Sequence, residues 1–109
     1  MFNEINPQEA YGLIKRHKND PDFLIVDVRT PQEFKEGRIA GALNLDVQSD
    51  NFESEIGKFD KNKRYIVYCR GGNRSQIAAQ MMSDAGFENV SNLTGGIVFW
   101  EENGLPIEK

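Results

Sequence analysis

Residues 65–75 read YIVYCRGGNRS, and this stretch joins a predicted buried strand to a predicted helix. The apolar run ends at Cys69, which is the only cysteine in the chain. A short loop with two glycines and two arginines follows, and then the helix-forming run QIAAQMM at 76–82. A strand that delivers one thiol to the N-terminus of a helix indicates an α/β fold with a reactive cysteine in an anion-binding loop.

Strand and helix patterns alternate along the rest of the chain. Asn6 and Thr30, each followed by a proline, are typical helix starts, and Glu33 completes a capping box with Thr30. The alternation predicts an α/β fold with a largely parallel sheet and one domain over residues 1–109. Strands are predicted at 2–5, 23–26, 42–45, 65–69 and 87–93, and helices at 7–17, 31–35, within 46–56, at 75–84 and at 97–102.

The composition argues against several classes of function. The chain has 109 residues, a net charge of −4 and a pI of about 5.0, which does not suit binding to nucleic acid or to an anionic membrane. No apolar run approaches the ~20 residues of a membrane-spanning helix, and the first residues lack the pattern of a signal peptide. A single cysteine forms neither an internal disulfide nor a cysteine-rich metal site. We therefore expect a cytoplasmic protein.

The residues of the cysteine loop predict how an anion would be stabilised there. Gly71 and Gly72 allow the backbone N–H groups of residues 70–75 to turn inward, towards the positive end of the following helix. A guanidinium about 5 Å from an anion contributes about 3 kcal/mol at an effective dielectric constant of about 20. Ser75 is expected to cap the helix or to donate a hydrogen bond to a bound sulfur. We predict Cys69 as the catalytic nucleophile, with Arg70, Gly71, Gly72, Asn73, Arg74 and Ser75 binding the substrate.

Residues outside the loop support further predictions. Asp27 lies at the carboxyl end of a predicted strand, where α/β sites gather, and is expected either to border the pocket or to make structural hydrogen bonds. Arg29 and Glu33 are predicted to pair with each other and to hold the first loop. Phe99 and Trp100 are predicted to pack the last helix onto the core, with lining of the pocket as the alternative.

Three separated motifs resemble the signatures of single-domain rhodaneses. They are DVR…EF…GRIAGALN over residues 27–44, CRGGNRS over 69–75, and GG…W…GLP over 95–106. Their order is that of the family and they cover nearly the whole chain, although Arg38 stands where family members commonly have histidine. The resemblance implies a rhodanese-like three-layer α/β fold, in which a central, mostly parallel five-stranded sheet is flanked by helices on both faces.

The resemblance also implies an enzyme of the thiosulfate sulfurtransferase type. The Cys69 thiolate would take a sulfane sulfur from a donor such as thiosulfate, and the resulting persulfide would pass it to cyanide or to a thiol. Arg70 and Arg74 would orient the anionic end of the donor. The implied partners are these small molecules and a sulfur-trafficking protein, with no nucleic acid, membrane, metal or organic cofactor.

Two other functions are compatible with the loop. One is a persulfide carrier that relays sulfur to a larger sulfur-trafficking partner. The other is a cysteine-dependent phosphatase or an arsenate reductase, because phosphatases of this fold also combine cysteine, backbone amides and arginine. Their loops place one more residue between cysteine and arginine than the four that separate Cys69 from Arg74. The tighter ring favours a sulfur atom over a phosphoryl group.

Overall fold

The computed structural model describes residues 1–109, in which five strands alternate with five helices. The predicted order of elements is confirmed. None of the helices has the length and apolar character that crossing a lipid bilayer requires. The strands are β1 (Asn3–Ile5), β2 (Phe23–Asp27), β3 (Leu43–Asn44), β4 (Arg64–Tyr68) and β5 (Asn89–Leu93), and the helices are α1 (Pro7–Arg16), α2 (Pro31–Glu36), α3 (Phe52–Ile56), α4 (Asn73–Asp84) and α5 (Gly96–Glu102).

The five strands form one sheet in the order β1-β5-β4-β2-β3, and every neighbouring pair is parallel. β4 is the central strand, where Val67 pairs with Val26 of β2 and with Asn92 of β5. Helices cover both faces of a parallel sheet, which explains why its central strand reads as a continuous apolar run. The prediction of a mostly parallel five-stranded sheet is confirmed, and the sheet is in fact entirely parallel.

Two apolar cores cover the two faces of the sheet. Side chains alternate along β4 and its continuation, so that Tyr65, Val67 and Cys69 join one core while Ile66 and Tyr68 join the other. The first core lies under α3 and α4, and the second lies under α1 and α5. Helices therefore flank the sheet on both faces, as the three-layer fold requires. Cys69 leaves the sheet on the face covered by α4.

Capping boxes begin both α1 and α2: the box of α2 and the Asn6 cap of α1 were predicted, and Glu9 completes a box at α1 as well. The side chain of Asn6 accepts a hydrogen bond from Glu9 N–H at 2.8 Å, and the Glu9 carboxylate accepts one from Asn6 N–H at 3.2 Å. Thr30 Oγ1 accepts a hydrogen bond from Glu33 N–H at 3.2 Å in the same way. Each cap satisfies backbone donors that the first turn leaves free.

The loop after Cys69 is shorter than predicted. α4 begins at Asn73, two residues before the predicted start at Ser75. Gly72 is left-handed, with φ +104°, and turns the chain directly into the helix. The first turn of α4 is therefore part of the wall around the cysteine.

Candidate active site

Cys69 lies at the base of the loop between β4 and α4. Its Sγ accepts hydrogen bonds from Gly72 N–H at 3.1 Å and from Ser75 Oγ at 3.3 Å. Ser75 Oγ also lies 3.2 Å from the Gly72 carbonyl oxygen, and its single proton can be donated to either acceptor. A negative charge on sulfur would attract that proton, because charge-assisted hydrogen bonds are the stronger ones. Cys69 is only 1% exposed, so the loop encloses it.

The first turn of α4 adds its positive end to this environment. α4 has 12 residues, and Gly72 is its N-cap. The first helical hydrogen bond runs from Gln76 N–H to the Gly72 carbonyl at 3.2 Å. Gly72 N–H precedes the helix and has no acceptor within it, so it donates to the sulfur instead. An anion at Sγ is therefore close to the end of the helix dipole that favours negative charge.

Gly96, at the start of α5, allows this helix to pack directly against the backbone of the cysteine loop. Ile97 N–H donates to the Cys69 carbonyl at 2.9 Å, and Val98 N–H donates to the Arg70 carbonyl at 3.1 Å. A Cβ on Gly96 would lie 2.3 Å from the Arg70 carbonyl oxygen, so only glycine allows this approach. The sequence places Gly96 in a turn of the third motif but does not indicate this role. The Gly95-Gly96 pair is the only sequence feature that could have indicated this role.

The two arginines of the loop have different surroundings. Arg74 forms a bidentate ion pair with Glu33 of α2, at 2.7 Å from Nη1 to Oε1 and 2.9 Å from Nη2 to Oε2. Arg70 is exposed and makes no hydrogen bond or ion pair with its side chain. The predicted pair between Arg29 and Glu33 is wrong. The capping box with Thr30 holds Glu33 at the start of α2, where it faces Arg74.

Comparison with known proteins places the chain in a family. The family model described as "Rhodanese-like domain" matches residues 7–103. The chain belongs to the rhodanese-like family. A rhodanese-related protein from Thermoplasma volcanium has the same fold, with a TM-score of 0.84, 31% sequence identity and 98% of each chain covered.

Two relatives of this rhodanese-like domain are named for their activity. The chain is 36% identical over 107 residues to a protein from Allochromatium vinosum named "Sulfurtransferase", covering 98% of this chain and 95% of the relative. It is 38% identical over 101 residues to the "Thiosulfate sulfurtransferase GlpE" of Coxiella burnetii, covering 93% and 89% respectively. Family and relatives together support a sulfurtransferase activity.

The first motif of this rhodanese-like domain contains a buried ion pair. Asp27 is fully buried, and its Oδ2 accepts a hydrogen bond from Arg29 Nη2 at 2.6 Å. The same Nη2 donates to the Gly37 carbonyl at 2.6 Å. Asn44 Nδ2 donates to the carbonyls of Asp27 and Arg29 at 3.1 and 2.9 Å. Asp27 therefore makes the structural hydrogen bonds that were one of its two expected roles, and it has no exposed surface with which to border a pocket.

The outer face of α5 departs from the sequence prediction. Trp100 is buried and its Nε1 donates to the Pro106 carbonyl at 2.8 Å, so its predicted packing is confirmed. Phe99 is 40% exposed, and its predicted packing is wrong. Only one side of α5 meets the sheet, through Ile97 and Trp100, which turns Val98 and Phe99 outward.

Replacing Glu33 by glutamine is expected to remove part of the acid sensitivity of the fold. Hydrogen bonds from Arg74, opposed by partial burial and assisted by Thr30, lower the pKa of Glu33 from 4.5 to about 2. Because the pKa is lower in the folded state, ionised Glu33 stabilises the protein fully above pH 4.5, and this contribution is lost as the pH falls through about 2. For a partly exposed pair we expect about 1 kcal/mol, or roughly 5 °C in Tm.

Thermal unfolding, followed by circular dichroism from neutral pH to about one unit below the folded pKa of Glu33, measures this effect. Glu33→Gln should have a lower Tm than the wild type at neutral pH, and the difference should disappear as the pH falls through about 2. Glu36→Gln is the matched control, because Glu36 lies on the same helix, is exposed and accepts a hydrogen bond only from Gln32. If the Tm of Glu33→Gln and the Tm of the wild type changed in parallel with pH, the prediction would be wrong.

Proposed function

We propose that this rhodanese-like domain, acting as a single domain over residues 1–109, moves a sulfane sulfur through a persulfide on Cys69. The donor is thiosulfate or a similar compound, and the acceptor is a thiol or cyanide. One observation carries the proposal. Cys69 Sγ accepts hydrogen bonds from Gly72 N–H and Ser75 Oγ at the positive end of α4, so an anionic sulfur is stabilised at this position.

The first step forms the persulfide. The Cys69 thiolate attacks the outer sulfur of thiosulfate and forms a new sulfur–sulfur bond with it. The bond between the outer sulfur and the sulfonate sulfur breaks, and sulfite leaves with the electron pair. Cys69 then carries a terminal anionic sulfur, beyond the Sγ that Gly72 N–H and Ser75 Oγ contact at 3.1 and 3.3 Å. No proton is required in this step, which suits a site without a general base beside the thiol.

The second step returns the enzyme to its starting state. A cyanide ion or a thiolate attacks the terminal sulfur of the persulfide, and the bond from that sulfur to Cys69 Sγ breaks. Cyanide leaves as thiocyanate, and a thiolate leaves as a new persulfide. The electron pair of the broken bond stays on Cys69, where the loop again stabilises the thiolate.

The surroundings of the two arginines suggest separate tasks. Arg70 is exposed and unpaired, so its guanidinium is free to bind the sulfonate end of a donor. The guanidinium of Arg74 is occupied by Glu33, and the pair links α4 to α2. We propose that Arg70 orients the donor and that Arg74 mainly holds the first turn of α4 in position.

Intact mass spectrometry after incubation with thiosulfate tests the proposed function. We expect the protein to gain one sulfur, about 32 Da, and to lose it again when cyanide is added. Incubation with sulfite alone is the control and should give no gain. No gain with thiosulfate, combined with hydrolysis of an aryl phosphate, would replace the proposal with the phosphatase alternative. A persulfide that forms with thiosulfate but that cyanide does not remove would favour the carrier alternative.

A further inference from the structure

Glu4, on the edge strand β1, receives hydrogen bonds from three other parts of the chain. Asn92 Nδ2 of β5 donates to both carboxylate oxygens, at 3.0 and 3.1 Å. Thr94 Oγ1 donates to Oε1 at 2.9 Å, and Gln76 Nε2 of α4 donates to Oε2 at 3.2 Å. We call Glu4 and these three donors the edge cluster. Through it, one carboxylate joins β1 to β5, to the turn after β5 and to the start of α4.

The edge cluster holds the two segments that enclose Gly72, the residue whose N–H donates to the cysteine sulfur at 3.1 Å. On one side, Gln76 N–H donates to the Gly72 carbonyl at 3.2 Å. On the other side lies Gly95, the residue after Thr94, so close that a Cβ on Gly72 would be 3.3 Å from Gly95 N. The position of the Gly72 N–H therefore depends on two segments that the edge cluster ties together.

The ion pair between Glu33 and Arg74 holds the same turn of α4 from another direction. Its shorter contact is 2.7 Å, from Arg74 Nη1 to Glu33 Oε1. Arg74 and Gln76 are two residues apart, so their side chains leave the helix about 200° apart, on nearly opposite sides. Two carboxylates from different elements thus hold the turn that supplies the donors to the sulfur, one on each side.

The amide of Asn92 indicates that the edge cluster serves a purpose other than stability. Asn92 is 1% exposed, and its Oδ1 has no hydrogen-bond partner. A buried amide oxygen without a partner destabilises a fold. Turning the amide over would place Oδ1 against the carboxylate of Glu4, so the orientation that serves Glu4 is also the one that leaves Oδ1 unpaired. The unpaired oxygen is a reason to look for a functional role of this contact.

We propose that Glu4 is a positioning residue for sulfur transfer, which keeps the Gly72 N–H at hydrogen-bond distance from Cys69 Sγ. The inference deepens the proposed function and rests on it, because the position that matters is that of a donor to the reacting sulfur. Glu4 itself touches neither the sulfur nor a substrate. Displacing a group in an active site by about 1 Å can lower a rate about 100-fold. Because Ser75 and Arg74 still hold part of the site, we expect about a tenfold loss without Glu4.

Steady-state kinetics with thiosulfate and cyanide test this role. Glu4→Ala removes both acceptor oxygens, and its kcat/KM for thiosulfate should fall about tenfold. Glu4→Gln keeps one acceptor oxygen, and the side-chain amide of Gln76 can turn to accept from the new N–H, so this variant should stay within about threefold of the wild type. Glu88→Ala is the matched control, because Glu88 is an exposed carboxylate next to the opposite end of β5. It should react as the wild type does.

Amide hydrogen exchange, followed by NMR without thiosulfate, shows where Glu4 acts. In Glu4→Ala the amides of Gly72 and Gln76 should exchange about tenfold faster than in the wild type. The amide of His17, which donates to the Leu13 carbonyl at 2.9 Å at the far end of α1, should keep its rate. Gln76→Ala is a second variant that removes a single contact from the exposed face of α4. It should lose about threefold in kcat/KM, in the same direction as Glu4→Ala.

The outcomes distinguish a positioning role from a merely structural one. Wild-type kcat/KM in Glu4→Ala would overturn the proposal, and so would a loss in Glu4→Gln as large as that in Glu4→Ala. Equal acceleration of the Gly72 and His17 amides would show a general loss of stability and would also overturn it. A wild-type chain that gains no sulfur from thiosulfate would refute the proposed function, while exchange of the Gly72 amide would still decide whether Glu4 positions that N–H.

Discussion

Cys69→Ser is expected to lower the rate of thiocyanate formation from thiosulfate and cyanide by at least about 10³-fold, with the fold retained. A serine hydroxyl is a far weaker nucleophile at neutral pH and cannot carry a persulfide. The replacement is nearly isosteric, and serine Oγ can still accept the Gly72 N–H bond that Sγ accepts at 3.1 Å. Stability should therefore change by no more than about 1 kcal/mol. The thiosulfate:cyanide assay measures the rate, intact mass spectrometry detects the persulfide, and urea unfolding measures the stability.

Ser75→Ala is the matched control for the loss of the nucleophile. It keeps the thiol and removes the hydroxyl that lies 3.3 Å from Sγ. The variant should still gain one sulfur from thiosulfate, with a rate reduced by about tenfold for one lost hydrogen-bond donor. A Cys69→Ser protein that still gained sulfur, or that kept its turnover, would show that Cys69 is not the nucleophile.

Gly96→Ala is expected to cost about 2–4 kcal/mol of stability and at least about 100-fold in activity. The φ of Gly96 is +64°, a conformation that strains alanine. The added Cβ would also lie 2.3 Å from the Arg70 carbonyl oxygen and 2.6 Å from that of Cys69. Both are backbone atoms and cannot rotate away, so the loop itself must move. Displacing the loop moves Cys69 Sγ away from the groups that donate hydrogen bonds to it, Gly72 N–H and Ser75 Oγ.

Gly104→Ala separates the strain of a left-handed residue from the steric effect. Gly104 has a similar φ of +74°, but a Cβ there would have no atom within 4 Å. This control should lose only about 1 kcal/mol and keep its activity. Urea unfolding and the thiosulfate:cyanide assay compare the two variants. If Gly96→Ala behaved like Gly104→Ala, the contact between α5 and the cysteine loop would not control the position of the sulfur.

The accuracy of the sequence predictions depended on how far apart the interacting residues are in the chain. The strand before Cys69 and the capping box of Thr30 were predicted correctly, because each is formed by residues close together in sequence. The partner of Glu33 was predicted wrongly, because Arg74 lies 41 residues away in sequence. The two side chains meet only because α2 and α4 lie side by side in the folded protein. The exposure of Phe99 was missed for a similar reason: the face that α5 turns to the sheet depends on tertiary packing.

The amino-acid sequence alone is enough to predict that strands and helices alternate along the chain, and that its one thiol ends a buried strand before a glycine-rich, cationic loop. These features follow from local periodicity, chain chirality and the conformational freedom of glycine. Tertiary contacts leave Arg70 rather than Arg74 free, and they set Gly96 of α5 directly against the backbone carbonyls of the cysteine loop. Each of these depends on elements distant in sequence that meet only when the sheet assembles.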